Sequence, residues 1–349
     1  MLGYQFPSIF ENAESRQATC QKAQLMILAA RFNPVWPPEL LPQFSRYVES
    51  LGYRQVWIAE DCFASSGHLS AITALASTDN ISVAVGISPV LMRNPVLAAM
   101  EIAHISRQFP ARFSAGFGVG VAAWMRSIGA MPSEPVSAVH EYVDAVKSLL
   151  AGNRVSTNGR YVKIVDAQLL HPPIIPPKVF IGARGQKALT RAIRTADGVV
   201  LGDFSGAKYV SYIRRMINAQ RGSECTLALY AYLDLSKSQS YALSELYARM
   251  RGGGVSLRPD SDIISSEATS DIYRGLSDED VRSASAMTTA QWASSMAVTG
   301  SMQQCNDYID QVAEAGADVL ALLGSSDFGV ALEDFAKLAQ WRRLGTVIS

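Results

Sequence analysis

The chain of 349 residues lacks the features on which several classes of protein are built. Its four cysteines, Cys20, Cys62, Cys225 and Cys305, lie far apart with no Cys-x-x-Cys spacing, so neither a disulfide framework nor a zinc cage is indicated. Its four histidines form no His-x-x-x-His pair, which leaves a metal-dependent hydrolase without ligands; no metal is expected. There is no Gly-x-Ser-x-Gly elbow and no Gly-x-x-x-x-Gly-Lys-Ser/Thr loop, which counts against serine hydrolases and P-loop kinases. No excess charge is present either: 31 basic residues balance 31 acidic ones, so no global field would hold a polyanion, and nucleic acid is not an expected partner. Every apolar run breaks well short of the roughly 20 residues a membrane helix requires. Met1 to Thr19 shows no basic segment followed by an apolar stretch and cleavage site, so a cytoplasmic protein with no membrane partner is expected.

What the chain does have is apolar substance and a regular alternation. Apolar residues make up 48% and charged residues 18%, the composition of a globular enzyme with a large core. Short apolar runs that read as buried strands occur at Leu25–Ala30, Val56–Ala59, Ile81–Ile87, Arg112–Phe117, Lys178–Ile181, Gly198–Leu201, Thr226–Leu235 and Val319–Leu323. Between them lie helical patterns: one after Pro37-Pro38 ending at Gly52, then Leu69–Ala76, Pro95–Arg107, Val136–Leu150, Gln186–Thr195, Ala207–Ala219, Gln303–Ala315 and a closing Leu332–Trp341. The polar stretch Gly152–Ala167 reads as a hairpin excursion. The Ser- and Gly-rich stretch 236–290 reads as an insertion after the seventh strand. Eight buried strands separated by helices predict one parallel sheet, and eight is the number that closes into an α/β (β/α)8 TIM barrel. An open doubly wound sheet would need two protected edges, and none of the eight strands carries Lys or Pro protection. The expectation is a single barrel domain over 1–349, with its chemistry at the C-terminal strand ends.

Those strand ends carry the candidate residues. Gly116-Phe117-Gly118-Val119-Gly120 follows the fourth strand, where alternating glycines let main chain approach a flat or anionic ligand; a tight barrel-corner turn accounts for them equally well. Gly182-Ala183-Arg184-Gly185 opens a helix with Lys187 in its first turn, an arrangement suited to phosphate or to a solvated cap. Thr299 or Ser301 in Val298-Thr299-Gly300-Ser301 reads as the N-cap of the helix before the eighth strand. Gly86-Ile87-Ser88-Pro89, followed by Arg93-Asn94-Pro95, suggests an irregular, rigid bulge. Glu60, Asp61 and, a few residues on, His68 place carboxylates and an imidazole where a proton could be shuttled. Alternatively Asp61 caps the next helix and His68 faces solvent. Cys62 is the one thiol at a promising position.

In order and spacing, these segments resemble the luciferase-like flavin and deazaflavin oxidoreductase superfamily. The matching pieces are Val56 to Asp61, Ser88-Pro89 with Arg93-Asn94-Pro95, Arg112-Phe113 through Gly116, Gly118 and Gly120 to Trp124 and Gly129, Leu149 to Gly152, Pro177 to Ala183 with Ala196 to Leu201, and Val298 to Ser301 with Ala315 to Asp318. Ala59-Glu60-Asp61, the run from Pro89 to Pro95, and Gly120 followed by Trp124 and Gly129 are most similar to the methylenetetrahydromethanopterin-reductase-like branch. That resemblance implies hydride transfer between the deazaflavin coenzyme F420 and a small organic substrate with a C=N, C=C or C–OH group. The alternative it implies is an FMN-dependent monooxygenase using oxygen and a partner flavin reductase. It also implies a homodimer or higher homo-oligomer and a cis peptide at Gly86–Ile87. Gly86, Ile87 and Ser88 would back the coenzyme ring, Gly116 and Gly118 would flank its side chain, and Gly182, Ala183 and Arg184 would meet its phosphate. Glu60, Asp61 or His68 would supply a proton. Asn94 stands where many relatives place histidine, and the first strand ends in Ala29-Ala30-Arg31 without the acidic group some reductases carry there.

Overall fold

The structure, a computed structural model, describes residues 26–203, 205–221, 224–235 and 298–345. Eight parallel strands close on themselves: β1 (Ile27–Phe32), β2 (Gln55–Ile58), β3 (Ser82–Pro89), β4 (Phe113–Gly118), β7 (Lys178–Gly182), β8 (Gly198–Leu201), β9 (Thr226–Asp234) and β11 (Val319–Leu323), with β11 pairing back onto β1. The expected (β/α)8 barrel is the fold. The Gly152–Ala167 excursion is an antiparallel hairpin of β5 (Val155–Asn158) and β6 (Lys163–Ala167). The expected insertion at 236–290 lies outside the described residues. Among the described residues no helix is long and apolar enough to cross a membrane.

Helices follow the strands: α1 (Leu41–Ser50), α2 (Gly67–Ala76), α3 (Pro95–Gln108), α4 (Ala122–Ser127), α5 (Pro135–Leu150), α6 (Gln186–Thr195), α7 (Ala207–Arg221), α8 (Met302–Glu314) and α9 (Phe328–Arg342). Their ends obey capping chemistry. Gly52 at the end of α1 has φ +90, and Asn94, in the position where histidine was noted for relatives, accepts from Val96 N–H to cap α3. Ser301, of the two cap candidates, closes a capping box with Gln304 on α8.

Several boundaries differ from the sequence reading. The first strand runs on through Arg31 and Phe32, because Phe32 packs edge-on against Trp36 and Phe44 and so stays in the sheet. The last helix starts four residues early, where Asp327 caps it. The short α4 and the two-residue β10 (Val298–Thr299), which lengthens the sheet beside the end of β9, carry too little periodicity to be read in advance.

Strand alternation sorts side chains into two layers. Ala29, Trp57, Ala84, Phe180, Val200, Ala228, Tyr230, Val319 and Ala321 fill the barrel interior, while the opposite faces pack under the helices in a much larger cluster. Inside, Trp57 meets Phe180 and Tyr230 edge to face, each with ring centroids 5.6 Å apart. This plug closes the barrel below its C-terminal mouth, so the mouth is a floored cup.

One buried carboxylate fixes the exit of β9. Asp334 on α9 is fully buried and accepts the Leu235 N–H at 3.0 Å through Oδ2, while Oδ1 has no hydrogen-bond partner and lies 3.9 Å from Lys337 Nζ. Burial pushes its acid up to about 6, opposed by the Leu235 hydrogen bond and assisted by Asp234. Because the folded-state value lies above the unfolded one, the stabilisation is complete below about 4 and is lost as the pH rises through about 6. Asp334→Asn should therefore melt above the parent at pH 8 and level with it at pH 4. A melting difference independent of pH would show that Asp334 does not titrate in this range.

Candidate active site

The mouth is built around the bulge at the end of β3. The β3–β4 register shifts between Val85 and Ser88, and the Gly86–Ile87 peptide is cis, as the resemblance implied. Gly86 has no room for a side chain: a Cβ there would stand 2.1 Å from Tyr230 Oη and 2.7 Å from Trp57. Tyr230 reaches across the interior to donate its hydroxyl to the Gly86 carbonyl. The half-buried Ile87 side chain then leaves the bulge over a wall of glycines. A Cβ on Gly118 would lie 3.0 Å from Ile87 Cδ1, on Gly182 3.1 Å from Cγ2, and on Gly116 3.3 Å from Cγ2 and only 2.5 Å from the Val85 carbonyl. Gly86, Ile87, Gly116, Gly118 and Gly182 are thus one surface, an apolar knob set in bare main chain.

The phosphate-type candidates adjoin it. Ala183 is buried, and Arg184 is exposed with its guanidinium lying over Gly202, where a Cβ would come within 2.3 Å of Nη2. Gly185 opens α6 with no side-chain cap, which leaves the first N–H groups of the helix without a side-chain acceptor, near Arg184 and the exposed Lys187. Ser88 is 1% exposed and sits beside the Glu60 carboxylate.

The three proton-carrier candidates lie past the end of β2, where the structure separates them: Glu60 contacts Arg93 and the start of α2, His68 lies on α2, and Asp61 is near Arg31 and Asp203. Glu60, buried at 4% exposure, is gripped by both terminal nitrogens of Arg93, one at 2.6 Å, and accepts the Gly67 N–H at the start of α2 at 3.1 Å. Burial raises its acid, but the contacts of Arg93 and Ser88 and the nearby positive charge together outweigh burial, and the net position is below the ordinary carboxylate range. His68 is likewise buried between α2 and α3, with Nδ1 2.5 Å from Glu101, whose Oε2 also lies 3.6 Å from Arg93 Nε. Glu60 and His68, expected at the site, belong to an ion-pair network that braces the helix layer. Glu60, not Asp61, takes the helix N–H, and His68 does not face solvent.

Asp61 stands at the mouth. Burial pushes its acid up, Arg31 opposes this, and Asp203 adds to it. Sequence reading did not assign Arg31, Asp203 or Tyr230 to the site. Arg31 extends the inward set Ile27, Ala29, Arg31 and lies with its guanidinium carbon 4.2 Å from the Tyr230 ring centroid. Its Nη1 is 3.5 Å from Asp203. The period-2 pattern of β1 would have found Arg31 once that strand was extended by two residues. The mouth therefore has two halves, the Ile87–glycine surface with Arg184 on one side, and Arg31, Asp61 and Asp203 on the other. Cys62 is buried with its Sγ 3.5 Å from Met92 Sδ; it, Cys225 and Cys305 are free thiols.

Comparison with known proteins places this geometry. Residues 29–319 match the luciferase-like monooxygenase family. A 5,10-methylenetetrahydromethanopterin reductase of Methanolobus tindarius is 23% identical over 323 residues, 90% of this chain and 98% of the relative. Among solved structures, the coenzyme F420-dependent tetrahydromethanopterin reductase of Methanopyrus kandleri superposes with a TM-score of 0.70 at 18% identity, covering 89% of this chain and 97% of the other. The oxygenating constituent of 3,6-diketocamphane monooxygenase from Pseudomonas putida, solved with FMN, gives 0.66 at 14% identity, covering 93% of this chain and all of the other.

The placement of Glu60 is testable. Glu60→Gln leaves Arg93 buried without its full counter-charge and should cost about 3 kcal/mol of stability, while ligand affinity at the mouth is unchanged. An undiminished melting temperature together with lost turnover would put Glu60 back among the proton carriers.

Proposed function

The chain belongs to the luciferase-like monooxygenase family and is an oxidoreductase; on that premise we propose that it binds the deazaflavin coenzyme F420 and passes hydride between it and a small organic substrate. The observation that carries this reading is the Ile87 knob on its glycine wall. A flat tricyclic ring needs an apolar backing with no side chains crowding its edges, and Gly116, Gly118 and Gly182 supply the clearance around Ile87. The uncapped start of α6 with Arg184 and Lys187 suits a phosphate-bearing tail, since its first N–H groups, helix dipole and two cations act together. The full-length match to a methylenetetrahydromethanopterin reductase, with coenzyme F420 named for the Methanopyrus kandleri reductase of the same fold, favours the deazaflavin over FMN.

When bound, the coenzyme supplies the hydride at the 5-carbon of its ring. The protein's residues orient and insulate. Ile87 and the glycines fix the plane of the ring, and Trp57, Phe180 and Tyr230 close the floor against water. Asp61, whose acid is raised by burial, holds the proton that accompanies hydride transfer.

Titrating the full chain with oxidised F420 and following its fluorescence should give saturable binding that FMN does not displace. Arg184→Gln should weaken F420 about tenfold through loss of a charge-assisted contact and leave affinity for the phosphate-free deazaflavin core unchanged. Tight FMN binding with no response to F420 would reject the proposal in favour of an FMN-dependent monooxygenase. Equal weakening of F420 and its core would remove Arg184 from the phosphate site.

A further inference from the structure

Arg31 is a cation in an unusual position. It is 7% exposed, yet the only ion pair its side chain makes among the described residues is the long 3.5 Å contact with Asp203, and its Nε is buried with no hydrogen-bond partner. A guanidinium has five N–H donors, and burying them unmatched is costly. Tyr230 covers one face of the group, at 4.2 Å, and its hydroxyl is directed at the Gly86 carbonyl. Parity points the side chain into the barrel, on the level above the Trp57, Phe180 and Tyr230 floor. Arg31 therefore presents unused donors to the half of the mouth opposite Ile87.

We propose that Arg31 is a catalytic residue whose guanidinium holds the reacting oxygen of the substrate, so that the group reduced or formed at this site is a carbonyl or its alcohol. The inference rests on the deazaflavin reading. In the reducing direction, the reduced deazaflavin gives a hydride to the carbonyl carbon and is oxidised, and the C=O π electrons move onto oxygen. Asp61 delivers the proton, and an O–H bond replaces the π bond. Arg31 stabilises the negative charge that grows on oxygen before the proton arrives, a contact stronger in the transition state than in the ground state. Asp203 fixes Arg31 from its far side. The same buried charge disfavours a cationic iminium carbon, since two positive groups would meet in a site screened from water.

The test measures cyclohexanone binding to the protein–F420 complex, read as a change in the fluorescence of the bound oxidised coenzyme, so that no turnover is needed. Arg31→Met should bind F420 as the parent does and cyclohexanone about tenfold more weakly, with Arg31→Lys recovering part of the loss. In single turnover from the reduced coenzyme, cyclohexanone should react faster than 1-pyrroline, and Arg31→Met should erase that preference. Equal cyclohexanone affinity in parent and Arg31→Met, or no ketone-dependent change in the parent, would overturn the assignment while F420 binding stands. Failure of the parent to bind F420 would overturn the deazaflavin reading and this inference with it.

Discussion

The mouth of this barrel depends on one contact, the hydrogen bond that Tyr230 on β9 makes across the interior to the Gly86 carbonyl on β3. The bond is possible only because residue 86 carries no Cβ, which would collide with the Tyr230 hydroxyl and the Trp57 ring. With the Gly86 carbonyl held inward, β3 leaves its register with β4 and Ile87 turns out over the ends of β4 and β7. The glycines on those strands then follow as a packing requirement, since each lies within contact range of Ile87. The same tyrosine supports Arg31 on its ring. Tyr230 is thus the partition of the cup, with an apolar seat on one side and a charged group on the other.

Partners past the strand ends decide which charges belong to the scaffold. The adjacent carboxylates Glu60 and Asp61, both beyond the end of β2, have different surroundings. On the helix side, contacts among Glu60, Arg93, Glu101 and His68 tie the start of α2 to α3. On the mouth side, Arg31 and Asp203 both act on the Asp61 acid, yet the three groups are incompletely paired. Incomplete pairing in a concave, partly dry site is the usual condition of groups that act on a ligand.

Most of the fold was legible because buried parallel strands read as short apolar runs and their helices as 3.6-residue patterns; β8, β11 and α6 begin and end where the pattern placed them. The bulge at Gly86 was visible as a glycine and prolines interrupting a strand. What the chain order could not show was contact between distant strands. Tyr230 reads as one more apolar residue in a long strand, and only closure brings it to Gly86. Arg31 reads as the start of a loop because Asn33-Pro34 follows it, whereas the packing of Phe32 keeps it in the sheet. Glu60 and His68 have the right residue type near a strand end, but type alone carries no information about the facing side.

The most direct test of the account is a crystal structure of the full chain with oxidised F420 bound. The account predicts the deazaflavin ring lying against Ile87, its edges bordered by Gly116, Gly118 and Gly182, its phosphate at Arg184 and the start of α6, and its open face turned toward Arg31 and Asp61. A ring seated elsewhere in the barrel, or the phosphate beside Arg31 with Ile87 uncovered, would contradict it.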